Sequence, residues 1–97
     1  MAGYMQRPRR LQVPTQAGMV QASATTEEST VELDYTTETI SIIADAPVKV
    51  GFNVEAIPSD YVLLLTNERL TLDLACTTIV LQAVSAAANV KITYTYL

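Results

Sequence analysis

The chain has 97 residues, 49% hydrophobic and 16% charged, with a formal net charge of -4, one cysteine and no histidine or tryptophan. That length allows one core and no second, and the composition excludes zinc sites built from His and Cys and any Ser or Cys triad with a His base. No run approaches the roughly 18 to 20 apolar residues of a membrane-spanning helix, and the charged fraction lies below the roughly 25% usual for soluble domains, so part of the surface is expected to be covered in the working state.

Residues 1–29 read as an extended N-terminal arm and hinge. The first 20 positions hold Arg7, Arg9 and Arg10 and no acid, whereas all ten acidic residues lie beyond them with only Lys49, Arg69 and Lys91. The arm is cationic and the body anionic. Pro8, Pro14, Gly3 and Gly18 among Gln, Ser, Thr and Ala give no sustained period, so the free arm cannot bury enough apolar surface to offset its ordering entropy. Tyr4, Met5, Leu11, Val13, Met19 and Val20 are spaced as anchors of an extended peptide, and with Arg7, Arg9 and Arg10 they form the candidate partner-binding set. Deleting Met1 to Ser23 is expected to leave the body folded and abolish attachment. Gln12, Pro14, Thr15 and Gln16 interrupt the apolar run that a secretory signal needs, and none is expected. Three arginines tied to an acidic body disfavour nucleic acid and favour an acidic protein surface, which a second copy could supply.

After a polar hinge at residues 25–30, residues 30–97 alternate apolar with polar side chains, the period of a strand with one buried face. Strands are expected at about 31–36, 38–44, 48–54, 61–65, 68–75, 78–84 and 89–96. Asp45-Ala46-Pro47, Pro58-Ser59-Asp60, Thr66-Asn67 and the Ser85 to Asn89 link supply the turns. The fold class is all-β: a small antiparallel β-sandwich or jelly-roll-like barrel of about seven strands with an extended N-terminal arm. Ile40 to Ala44 and Tyr61 to Leu65 are almost continuously apolar, as strands covered on both faces are. A single core covers only one face of Tyr61 to Leu65, so the arm, a neighbouring copy or another protein is expected on the other. A homo-oligomer follows, with a trimer favoured.

Little in the chain suits catalysis. Glu32 and Asp34 share a strand face and Glu68 sits beside Arg69, patterns that most often belong to a solvated surface. Asp45 and Asp60 lack the dense oxygen spacing of a calcium loop, and Gly3, Gly18 and Gly51 are too far apart for a phosphate loop. Cys76, within Leu74-Ala75-Cys76, reads as a small buried hydrophobe. No catalytic residue, metal or cofactor is expected.

The succession Asp45-Ala46-Pro47-Val48-Lys49-Val50-Gly51-Phe52, Leu70-Thr71-Leu72-Asp73-Leu74 and Ile79-Val80-Leu81-Gln82-Ala83-Val84-Ser85-Ala86-Ala87-Ala88-Asn89-Val90-Lys91-Ile92-Thr93 resembles the small all-β virion structural proteins of tailed bacteriophages. The likeness covers about residues 38–94 and leaves the arm outside. It implies a non-enzymatic role on the particle, most often capsid decoration or cementing and sometimes a neck, tail or fibre component. Implied with it are the major capsid or other virion proteins as partners, and location in the virion after assembly in the host cytoplasm. The alternative is a receptor- or carbohydrate-binding module at a tail or head fibre, using Tyr35, Tyr94 and Tyr96. Tyr94 and Tyr96 share a strand face with Val90 and Ile92, which favours core packing for them.

Overall fold

The computed structural model describes residues 16–97. They form eight strands: β1 (Gln16–Ala24), β2 (Ser29–Glu32), β3 (Thr39–Ala44), β4 (Val48–Phe52), β5 (Val62–Leu64), β6 (Arg69–Asp73), β7 (Thr78–Ala83) and β8 (Ala88–Tyr96). Two antiparallel four-stranded sheets result, in the orders β1-β8-β3-β6 and β2-β7-β4-β5.

The registers explain this order. Gln16 faces Tyr96, Thr39 faces Asp73 and Val48 faces Leu64, three pairs that are each symmetric about Ala56. Ser29 faces Leu81, a pair symmetric about Glu55. The chain is thus one long hairpin folded near its middle and rolled up, and rolling lays β8 against β3 and β7 against β4. This is the jelly-roll arrangement of a β-sandwich.

The alternating residues meet between the sheets. On the first sheet they form cross-strand rows: Val20, Ile92, Ile42 and Leu70 in one, and Gly18, Tyr94, Ile40 and Leu72 in the next. The second sheet contributes Val48, Val50, Leu64, Ile79 and Leu81, all buried, with Val31, Val62 and Phe52 packed at the margin. Cys76 is also buried, its thiol 3.3 Å from the Thr78 carbonyl, and burial raises its pKa. The one buried polar side chain among the described residues, Thr37, is satisfied twice: its hydroxyl donates to the Leu74 carbonyl and accepts the Cys76 N–H at 3.1 Å. It joins the β2–β3 and β6–β7 links across the end of the sandwich.

Two asparagines occupy the left-handed region where the chain reverses, Asn53 at φ 57° after β4 and Asn67 at φ 59° in the turn before β6. Asn tolerates that conformation better than most residues. Asn53 also donates to the Ala75 carbonyl at 3.0 Å and accepts the Thr77 N–H at 3.2 Å, fixing the end of β4 to the link before β7.

The fold differs from the sequence expectation at the arm. Gln16–Ala24 is a strand of the domain, paired along its whole length with β8, and it sends Val20, Ala22 and Ala24 toward the core. The residues it buries are small, so its period is faint in the sequence. At Gly18 the reason is Tyr94: a Cβ there would lie 2.5 Å from the Tyr94 ring, so the absent side chain makes room for the opposing aromatic. The remainder of the arm, residues 1–15, lies outside the described residues.

Candidate interaction surface

The Tyr-Val-Leu-Leu-Leu run is split by the pleat. Val62 and Leu64 turn inward, and Tyr61, Leu63 and Leu65 turn outward along the edge of the second sheet. Leu63 is 47% exposed and Leu65 51% exposed. Lys49 separates Leu63 from Gln82 in the neighbouring strands, and its ammonium stands 5.0 Å from the centre of the Tyr61 ring, within cation–π range. Beyond Val48, Pro47 accepts the Val84 N–H at 3.1 Å, which places exposed Val84 in the next row toward Leu65. Tyr61, Leu63, Leu65 and Val84 therefore make an apolar margin interrupted by one cation.

The other half of that sheet face is covered by the chain itself. Val80 is fully buried although it points away from the inter-sheet core, and its cross-strand partner Gly51 is buried beside it. The β4–β5 loop folds back over them. A Cβ on Gly51 would come within 2.9 Å of both Pro58 and Val54, and the Ile57 N–H donates to the Glu28 carboxylate at 3.1 Å, holding the loop down. The loop stops short of Leu63, Leu65 and Val84, so the second face expected to need a cover has none among the described residues.

The outer face of the first sheet is different in kind. Thr39 and Thr95 share a hydrogen bond of 2.6 Å, and Arg69 donates to the Ser41 hydroxyl at 2.8 Å. Their polar atoms are satisfied by one another as a cross-strand ladder.

Of the expected partner-binding residues, Tyr4, Met5, Arg7, Arg9, Arg10, Leu11 and Val13 lie outside the described residues. Met19 and Val20 lie on opposite faces of β1: Met19 is 55% exposed, and Val20 packs against the core, so the two are not one set of anchors. Among the tyrosines, Tyr94 is buried, Tyr96 packs against the core, and the half-exposed Tyr35 stacks on Tyr96 with centroids 3.9 Å apart and planes 4° apart. Glu32, Asp34 and Glu68 are exposed, and Glu68 accepts the Leu65 N–H at 3.0 Å within its own turn. The described residues hold no group of three or more His, Cys, Asp or Glu placed to bind a metal ion, and no helix long and apolar enough to cross a membrane.

Asp45 has a structural task. Its carboxylate accepts the Asn89 backbone N–H at 2.7 Å and the Asn89 side-chain amide at 2.9 Å, and its own N–H donates to the Asn89 carbonyl at 3.2 Å. The Asn89 backbone bond, followed by the side-chain bond, pulls the Asp45 pKa below its ordinary value near 3.8. A lowered folded-state pKa gives stabilisation that is present above the unfolded value and disappears as pH falls through the folded one. Thermal melts of Asp45→Asn should therefore lose part of the acid-side decline seen in the wild type; an identical decline in both proteins would show that the clip contributes nothing.

No family model, curated protein or solved structure matches this chain.

Proposed function

We propose that this protein is a non-enzymatic structural component of a virion, docking on a capsid or on neighbouring virion subunits through its β-body and the basic segment ahead of it, and so decorating or cementing the particle. The observation that carries this reading is the uncovered apolar margin of Tyr61, Leu63, Leu65 and Val84, which gathers four of the seven exposed large apolar side chains among the described residues at one sheet edge. Apolar surface gathered at a sheet edge marks an interaction site. The jelly-roll order agrees with the phage resemblance, with the weight that fold-level analogy carries. The fibre-tip alternative keeps one point of support, the exposed face of Tyr35 on its Tyr96 stack.

The test is co-sedimentation of the full chain with purified particles assembled from the same genome. Wild-type protein should pellet with the particles, and Leu63→Lys combined with Leu65→Lys should leave it in the supernatant with an unchanged circular dichroism spectrum. Both side chains are about half exposed, so these changes should alter fold stability by only about 0.5 kcal/mol. Wild-type protein that never associates with particles refutes the structural role, and a double variant that still pellets moves the docking surface elsewhere.

A further inference from the structure

The two sheets have four lateral strands, and three of them are blunted. β5 has 3 residues, β2 has 4 and ends on Glu32, and β6 carries Arg69 and Asp73. Short length and charge are the usual protections of a sheet edge against pairing with another chain. β1 has neither. It has 9 residues, Gln-Ala-Gly-Met-Val-Gln-Ala-Ser-Ala, with no charge and no proline, and among the described residues only β8 pairs with it. Its other side presents a row of backbone donors and acceptors.

We propose that β1 pairs with β1 of a second copy of this chain, antiparallel about a two-fold axis at Val20, joining two four-stranded sheets into one continuous sheet. Centring on Val20 pairs all of Gln16 to Ala24 and sets Met19 opposite the partner's Gln21 on the outer face and Val20 against the partner's Val20 on the inner face. An uncharged strand brings no like charges together in this self-pairing.

Charge complementarity selects a second copy as the occupant. The basic residues Arg7, Arg9 and Arg10 precede β1, and the acids Glu27 and Glu28 follow it. Within one chain a strand of this length holds the two ends roughly 30 Å apart. Antiparallel pairing brings the partner's Glu27 and Glu28 to the end where the basic segment leaves β1, and reciprocally.

The experiment is sedimentation equilibrium of the full-length chain and two double variants. Met19→Glu with Gln21→Glu places glutamates directly opposite glutamates twice across the axis, whereas Met19→Lys with Gln21→Glu places each lysine opposite a glutamate; position 21, which faces Lys91 of β8 within the chain, carries the same change in both. Met19 and Gln21 are exposed in the single chain, so the two variants should melt alike at concentrations where the chain is monomeric. The wild type should dimerise, the first variant should associate about tenfold more weakly, and the second should associate at least as tightly as wild type. A wild type that stays monomeric at about 1 mM overturns the proposal. So does a glutamate–glutamate variant that associates normally, or a lysine–glutamate variant as weak as the glutamate–glutamate one.

Discussion

Removing residues 1–23 should unfold the domain, whereas removing residues 1–15 should leave its circular dichroism and cooperative melt in place. The longer deletion strips nearly all of β1, which is paired with β8 at every position from Gln16 to Ala24. It opens the rows that Val20 and Ala22 close, removes the backbone beneath the Tyr94 ring, and leaves β8, the longest remaining strand, as a bare edge. A domain of this size has a total stability on the order of 5 to 10 kcal/mol. A ladder of several hydrogen bonds at about 1 kcal/mol each, together with the apolar contacts, amounts to most of that. A folded, soluble chain lacking residues 1–23 would show that β1 is an accessory strand and that the core closes without it. This outcome was the expectation from sequence, and the strand pairing argues against it.

Replacing Ile92 by alanine should be among the most damaging single substitutions, costing about 3 to 4 kcal/mol in denaturant unfolding. Ile92 is fully buried in the middle of β8 and lies directly between Val20 and Ile42 in its row. β8 is held by a neighbour on each side, so the backbone cannot collapse into the space left by the lost carbons. Leu63→Ala, a truncation of similar size at a half-exposed position, should cost only about 0.5 kcal/mol. Equal losses at the two positions would mean that the inward and outward faces have been assigned incorrectly.

Several features are legible in the amino-acid sequence alone. Alternation in Val48-Lys49-Val50, Leu70-Thr71-Leu72 and Val90-Lys91-Ile92 gives the inward face of β4, β6 and β8 directly, because a two-residue period ties each side chain to one side of a pleated strand. Asn67 marks its turn because asparagine tolerates positive φ. Cys76 is buried, as expected from its apolar setting. The double-sided apolar character of Tyr61 to Leu65 likewise appears as apolar side chains on both faces of the sheet edge, although Val84, far away in sequence, joins the outward set only through cross-strand placement.

The sequence by itself determined the β class, the inward faces and the turn positions, since these depend on neighbours one or two residues apart. Tertiary structure alone decided three further matters. Gln16–Ala24 became a strand because β8 pairs with it at every position, with Gly18 leaving room for the Tyr94 ring, an arrangement between residues that meet only after folding. Rolling of the hairpin decided which strands became lateral, and so left β1 long and uncharged at an edge. The landing of the β4–β5 loop buried Val80 and spared Leu63, two outward apolar residues on one sheet face. Periodicity assigns a side chain to a face; what covers that face is set by segments distant in sequence, whose positions depend on loop closure and packing of the whole chain.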